Sequence, residues 1–577
     1  MELKNYGDKA VAEPVPSTAT LEVGSTAAID AGSGHLQRKL NAKQVQLYGI
    51  GTAIGTSVFV AMGSYLPTGG PAGLLMAFCI WSCVAFCINE TYGRHIVETE
   101  EVGREVHPLI RSLTILLAEM VCYAPVPAPF VRFCSDWVDQ ALGFAVSWSF
   151  LLTSLFLIPF EITAFHKLIG FWGEFPVAAT VFIVMAMYGV LNCVSVRWFG
   201  IAEFYLAIGK VVLIFFLFAF VLVTMCGGNP LGDAYGFRYW SDPGAFAEYL
   251  VDGVSGRFLG FLSCLTYATF TVCGFEYVSL VAAETKTPRR ILPAAYKSYP
   301  FRLLFFFCGA ALAMGICIPY NDETLNAIMS GEQAGSGTGA ASPYVIAMER
   351  LKISGLPHFV NAIIMTSVFS AGNGYVFAAS RTLYTMAEQG RAPKLFTRTI
   401  RSGIPIYAVC ACLSFSLLAL LNVSDNTTDV MGYFVSLVTT NQLLNYTSTC
   451  VTYIHFYHAL KKQGISRNNL PYKGRLQPYS AYIGMVATTI MILLLGFYVF
   501  SPGQWSVKWF FLNYTFVAVF PIAFIAWKVI NKTTYQRLGT ADLTLGGDVL
   551  EVDEYEKHAN MEPLKGLSGW MERIFGG

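Results

Sequence analysis

Two stretches of this sequence interrupt long apolar runs with residues suited to binding chemistry. The first reads Gly49-Ile50-Gly51-Thr52-Ala53-Ile54-Gly55-Thr56-Ser57, the second Phe270-Thr271-Val272-Cys273-Gly274-Phe275-Glu276. Glycine weakens a helix and admits backbone angles that other residues avoid. Where a helix loses its winding, its peptide groups are released for other partners. Beyond Ile54, the free N–H groups of Gly55, Thr56 and Ser57 would open a half-helix whose partly positive end suits a carboxylate. Ahead of Cys273, the carbonyls of Phe270, Thr271 and Val272 would accept an ammonium group. A site offering both ends fits a zwitterion. Phe270 is large and flat enough to close over a bound side chain, and equally suited to packing.

Charged residues lie close to these breaks. Lys210 sits inside an apolar run that continues to Met225 without another charge. A charge at the centre of a membrane helix costs about 2.5–3.5 kcal/mol on insertion scales, so it usually has a task. Desolvation eases the release of a lysine proton, and such an amine could couple a binding cycle to a proton gradient. Its alternative is a lysine that snorkels to the boundary. Glu276 follows the second break, and Glu161 lies in Ile158-Pro159-Phe160-Glu161-Ile162. Glu276 joins Lys210 as a candidate for proton coupling and Glu161 is a secondary candidate; either tunes the amine pocket or ties helices together by hydrogen bonds.

The elements that must position these residues are membrane helices. Of 577 residues, 54% are hydrophobic and 13% charged, against about a quarter charged in soluble domains. Apolar runs and breakers predict twelve spans near 46–66, 70–91, 139–170, 175–195, 199–226, 258–284, 300–319, 357–387, 404–422, 430–458, 479–500 and 507–530. Residues 1–40 read as a disordered tail, 41–531 as the membrane domain and 532–577 as a second tail. In that last tail, Leu567, Trp570, Met571, Ile574 and Phe575 place a short amphipathic helix over 566–576 against the inner membrane surface. Basic residues follow spans 6, 8 and 10 (Lys286, Arg289, Arg290; Arg391, Lys394, Arg398; Lys461, Lys462, Arg467), which puts those loops and both termini in the cytoplasm. The N-terminus lacks the form of a cleaved signal peptide. The interruptions fall in spans 1 and 6. A repeat of five spans inserts its second copy upside down, and paired broken helices in inverted repeats point to a midplane binding site.

A net charge of +1 gives no reason to expect nucleic acid as a partner. The fourteen cysteines include no CxxC pair, which argues against a disulfide framework or zinc. No cofactor or metal is expected. The eight histidines include none paired with an acid or serine at catalytic spacing within a span, which argues against an enzyme.

At these residues the sequence resembles the fungal amino-acid permeases (yeast amino-acid transporter type) of the amino acid–polyamine–organocation superfamily. The resemblance is carried by Ala53-Ile54-Gly55-Thr56, Gly69-Gly70-Pro71-Ala72, Ala282-Ala283-Glu284-Thr285 with Pro288-Arg289-Arg290, and Ala341-Ser342-Pro343-Tyr344 through Ser370-Ala371-Gly372-Asn373 to Arg381-Thr382-Leu383-Tyr384. It implies an all-α membrane protein with a LeuT-like 5+5 inverted repeat, broken helices 1 and 6 and two further C-terminal helices. It also implies alternating access, proton symport and a plasma-membrane location. Lys210 matches the family's span 5 lysine, and Asn373 is a secondary candidate. The substrate is then an amino acid or related amine, with protons and the lipid bilayer as the other partners.

There are departures. Thr52 and Ser57 stand where glycine is frequent, and Phe275 replaces a small or polar residue. Ala118-Glu119-Met120 and Gly274-Phe275-Glu276-Tyr277 look like a branch near carriers of carnitine and polyamines. Around 91–117 a charged segment with Glu98, Glu100, Glu101, Arg104 and Glu105 is inserted. Burying it is prohibitive, so it must loop into the cytoplasm or break span 2. A receptor-like permease that senses nutrient is the main rival reading; the short tails favour transport.

Overall fold

In the computed structural model, the described residues are 41–89, 117–194, 196–330, 342–400, 403–423, 427–467, 470–471 and 477–558, all within one unit spanning Arg38–Gly577. The charged segment at 91–116 and the amphipathic helix at 566–576 lie outside them. The described secondary structure is helical throughout.

The chain opens with α1 (Ala42–Ala53), which stops at Ile54-Gly55 before the four-residue α2 (Thr56–Phe59) and a 3-10 turn over Ala61–Tyr65. It continues into α3 (Leu66–Asn89) across a kink at Gly70. There φ is +71°, and a Cβ would lie within 2.8 Å of the backbone of Ala245 and Ala247, so only glycine fits. Two short helices, α4 (Leu117–Tyr123) and α5 (Pro129–Trp137), lead to α6 (Gln140–Ile169), whose N-cap Asp139 accepts from Ala141 N at 2.8 Å. Then come α7 (Val177–Val194), α8 (Val196–Met225) and, in the connection, α9 (Arg238–Ser241). The second broken span is α10 (Gly253–Thr271) and α11 (Phe275–Leu280).

The second half comprises α12 (Pro288–Arg302), a π-helical turn at Leu303–Cys308, α13 (Gly309–Cys317), α14 (Glu323–Ser330) and α15 (Pro343–Arg350). It ends with α16 (Leu356–Glu388), α17 (Ile406–Ser414), α18 (Thr427–Lys462), α19 (Tyr479–Leu494), α20 (Val507–Asn531) and α21 (Asp548–His558).

Among the described residues, seven helical segments are long and apolar enough to cross a membrane, including Gln140–Ile169, Phe199–Met225, Leu356–Glu388 and Val507–Asn531. Three shorter apolar helices, Val177–Cys193, Leu304–Cys317 and Tyr479–Leu494, match the expected spans 4, 7 and 11. The expected spans absent from both groups are 1 and 10, for different reasons. Span 1 is cut into pieces by its own break. Span 10 is α18, long enough but too polar, because it buries Thr439, Thr440, Asn441, Gln442, Asn445, Thr449 and Thr452 against neighbours.

α6 is the hub: α16, α18, α20 and α5 pack against it. The outer helices are apolar where they face outward. α20 leaves Ile522, Ile525 and Val529 exposed, and α8 exposes Val212 and Leu222 while burying Leu213, Ile214 and Leu217. Bare aliphatic surface on this scale suits lipid rather than water.

Residues 532–558, assigned above to a tail, are docked on the bundle. Gln536 N donates to Val138 O at 2.8 Å, and Trp137 Nε1 donates to Asp542 O at 2.9 Å. Gln463 Nε2 donates to Ala541 O at 2.8 Å, and Leu543, Leu545, Val549 and Val552 are buried. The local polarity of this stretch hid four apolar residues that gain burial only in the folded chain.

Candidate functional site

The first break is held open from outside. Ile54 is buried and its carbonyl accepts Ser367 Oγ of α16 at 3.5 Å. Gly55 lies in a backbone conformation outside the helical region, φ −145° and ψ −140°. A side chain at Gly55 would meet Ala371 Cβ at 2.8 Å and Glu161 Oε1 at 3.0 Å, so α16 and α6 close in on the bare backbone. Thr56 Oγ1 donates to Glu161 Oε2 at 2.6 Å. Ser57 is half-buried, and its carbonyl accepts the Tyr267 hydroxyl at 2.7 Å.

This corrects one expectation. The N–H groups at Gly55–Ser57 do not open a full half-helix, since α2 runs for four residues before the 3-10 turn. The Glu161 carboxyl group of α6 occupies the place beside Thr56.

The second break begins where α10 ends. Thr271 Oγ1 donates to Tyr267 O at 3.1 Å, Val272 N donates to Ala268 O at 3.0 Å, and Cys273 N donates to Thr271 O at 3.0 Å. The Thr271 carbonyl is thus engaged locally. Gly274 has φ +114°, the left-handed turn that restarts the chain as α11. Its N–H donates to Glu276 Oε2 at 3.1 Å, so Glu276 caps the break it follows. Glu276 Oε1 accepts the Tyr446 hydroxyl at 3.2 Å, and Gln442 Nε2 reaches Tyr446 Oη at 2.8 Å. Beside these groups is a cavity of about 20 Å³ measured at water centres, lined by Glu276, Gln442, Asn445, Tyr446, Thr153 and Phe150. Asn445 is 5% exposed, and its amide N and O make no hydrogen bond. Phe270 is buried, edge-on to Phe160 with ring centroids 5.3 Å apart.

The remaining predicted residues divide. Lys210 is 1% exposed, and its Nζ donates to Gly51 O, one turn before the first break. It does not snorkel. Asn373 is buried, but its Oδ1 accepts Asn192 Nδ2 at 2.8 Å, tying α16 to α7 rather than reaching either break.

The comparisons with known proteins decide the family. The amino acid permease family pattern matches residues 44–103 and 109–538. The chain is 37% identical over 536 residues to the general amino acid permease AGP2 of Saccharomyces cerevisiae, covering 92% of this chain and 85% of that one. It is 33% identical over 579 residues to a proline-specific permease of Emericella nidulans, covering 97% and 99%. It is 30% identical over 504 residues to the lysine-specific permease of Saccharomyces cerevisiae, covering 87% and 77%.

The chain belongs to the amino acid permease family. Both breaks lie inside the matched stretch, and so do Lys210, Glu161 and Glu276.

One buried acid of this permease escaped the sequence reading. Glu203 of α8 is 3% exposed, and its Oε1 accepts Ser370 Oγ at 2.8 Å. It lies in the same apolar run as Lys210, seven residues earlier, and the rule that singled out an intramembrane lysine applies equally to an intramembrane glutamate. Gln442, Asn445 and Asn192 had no such signal, because neutral polar residues are common in membrane helices and only the fold shows which of them converge.

Proposed function

We propose that this permease is a secondary active transporter that imports amino acids across the plasma membrane with protons, by alternating access. The observation that carries the reading is the pair of breaks at Ile54–Gly55 and Val272–Gly274, five spans apart and each capped by a buried carboxylate. Paired interruptions at matching positions of inverted repeats mark midplane sites. They support a twelve-span LeuT-like arrangement of two inverted five-helix repeats with two added helices. The basic loops after spans 6, 8 and 10 support cytoplasmic termini.

In this reading the substrate carboxylate binds at Gly55, Thr56 and Ser57, where Glu161 now sits, and the ammonium binds near Phe270–Cys273. Entry of a carboxylate is then coupled to the removal or protonation of Glu161, since two carboxylates cannot share Thr56 in the charged form. Lys210 contributes the second proton-exchanging group, held against Gly51 O. Uptake of a ¹⁴C-labelled L-amino acid mixture into proteoliposomes, with and without an inward proton gradient, tests this. Gradient-stimulated accumulation is expected; uptake that ignores the gradient removes the coupling, and no uptake removes transport.

A substrate with more positive charge is the second reading, favoured by two carboxylates, Glu161 and Glu276, at the breaks. Competition by spermidine and carnitine against the labelled mixture decides it. A nutrient sensor of the same fold would bind the mixture without accumulating it.

A further inference from the structure

We propose that the polar cavity at the end of α20 binds an inositol phospholipid, its phosphate on Lys532 and its acyl chains along the outer face of α20. Such a site needs α20 to span the membrane, as its length and composition allow, and does not depend on proton coupling.

Three observations place the lipid there. The first is the lining of the cavity. It encloses about 380 Å³ where the last turn of α20 meets the end of α5 and the start of α6. Gln140, Asn531, Thr534 and Gln536 line it with side-chain amides and a hydroxyl, groups that both donate and accept hydrogen bonds. The volume suits a small ligand, and a ring of hydroxyl groups matches such walls. A choline headgroup favours an aromatic cage, and no aromatic residue is among the described walls.

The second is charge. Asp136, in the wall, pairs with Arg132 at 3.1 Å. Asp139 touches the wall through Thr533, whose Oγ1 donates to it at 2.7 Å, and it is already matched by Lys528. Arg391 reaches the same wall from just beyond α16. It donates to Ser135 Oγ and, at 3.2 Å, to Ser147 Oγ, two neutral hydroxyls. Lys532 lines the cavity. Among the described residues, neither Lys532 nor Arg391 forms an ion pair, whereas both acids do. Positive charge left over beside a polar hollow suits a phosphodiester.

The third is the neighbouring surface. Ile522, Ile525 and Val529 are exposed at helical spacing, and Lys532 follows three residues after Val529. Ile530, 75% exposed, widens the strip. About one turn before the end of α20, Trp527 stacks on Phe144 with ring centroids 4.0 Å apart. Indole rings favour the membrane boundary. Aliphatic strip, indole, cation and polar hollow follow one another as acyl chain, glycerol, phosphate and headgroup do in a phospholipid.

The test titrates delipidated full-length protein, in a neutral detergent, with phosphatidylinositol, phosphatidylserine and phosphatidylcholine, and counts bound lipid by native mass spectrometry. Phosphatidylinositol should bind at least about fivefold more tightly than phosphatidylcholine, with phosphatidylserine between them. Lys532 ends α20 in a left-handed conformation, φ +50° and ψ +42°, which asparagine tolerates. Lys532→Asn therefore removes the charge alone and should weaken phosphatidylinositol about fivefold. Lys532→Arg should recover most of that loss, which excludes misfolding as its cause. Gln140→Leu should lower phosphatidylinositol to the level of phosphatidylserine and leave phosphatidylserine unchanged. Glycerophosphoinositol, the same headgroup without chains, should compete at least about a hundredfold more weakly than the lipid. Equal binding of the three lipids overturns the proposal, as does wild-type binding in Lys532→Asn or no recovery in Lys532→Arg. A Gln140→Leu chain that still prefers phosphatidylinositol overturns the choice of headgroup. Glycerophosphoinositol competing as well as the lipid overturns the membrane source in favour of a soluble phosphate.

Discussion

At the residue scale, the decisive contact is between Glu161 and Thr56. The carboxylate that α6 extends to the first break accepts the Thr56 hydroxyl at 2.6 Å in a buried setting. Thr56→Val removes that donor and leaves a buried acceptor short of one bond, a loss of about 1–3 kcal/mol. The expected result is a lower melting temperature by thermal-shift assay together with weaker uptake. Unchanged uptake in a destabilised protein would confine the contact to structure. Gly55→Ala tests the same place by volume, since its methyl meets Ala371 Cβ at 2.8 Å and Glu161 Oε1 at 3.0 Å. Glu161 can turn its carboxyl end aside, but Ala371 Cβ cannot retreat without moving α16, so uptake should be abolished while the protein still reaches the membrane. Asn373 is expected to behave differently. Asn192→Leu strands Asn373 Oδ1 in the core and should cost about 1–3 kcal/mol of stability. The apparent affinity for the labelled mixture should stay within about twofold, because the Asn192–Asn373 hydrogen bond joins α7 to α16 and engages neither break. A large rise in KM would return Asn373 to the binding site.

At the scale of elements, the short helix α4 shows how much depends on one distant partner. Arg467, just past the end of α18, donates to both oxygens of Glu119 at 2.9 and 2.8 Å, and Glu119 is fully buried. Such a forked pair fixes orientation as well as position. Removing one member of a buried pair costs about 3–5 kcal/mol, so Arg467→Ala should detach α4 and expose Tyr123 and Ala124 to limited proteolysis. Arg467→Lys should recover only part of the stability, since an ammonium cannot fork. The surface pair of Arg132 and Asp136, both about one-third exposed, should by contrast contribute under about 1 kcal/mol.

At the scale of the whole molecule, the docked C-terminal segment joins elements that lie far apart in the sequence. It contacts α5 through Trp137, the end of α18 through Gln463 and the start of α12 through Arg289, which pairs with Asp553 and whose N–H donates to Glu556 at 2.9 Å. Its turn is stabilised by Asp542, whose carboxyl accepts from Thr544 Oγ1 at 2.7 Å, Thr544 N at 2.9 Å and Gly546 N at 3.1 Å. The Thr544 hydroxyl, foremost, and these backbone donors hold Asp542 below its usual value of 3.8. A carboxyl lowered on folding stabilises the folded state above its unfolded pKa, and that contribution disappears as pH falls through the folded one. The dock should therefore be intact at neutral pH and loosen only below about pH 4. Hydrogen exchange over residues 532–558 at pH 7 and under acid quench-free conditions near pH 3 would measure this; protection that vanishes near pH 6 would contradict it.

Much of this protein was legible in its sequence. Apolar runs located the helical segments, because lipid demands continuous apolar length, and glycines located both breaks, because glycine admits backbone angles that other residues avoid. Lys210 and Glu161 stood out because an isolated charge in an apolar run is rarely accidental. Glu203 obeyed the same logic and was legible in principle. What only the tertiary structure decided is which polar groups meet. The α16 stretch near Asn373 matched the family as a block, yet its serine reaches Glu203 and its asparagine reaches Asn192, a division set by rotation about the helix axis and by which helix lies opposite. The docking of residues 532–558 depended on surface offered by α5, α12 and α18 together. The sequence can state that a segment is apolar or charged. Partnership needs distance, and distance between residues hundreds of positions apart exists only once the chain has packed.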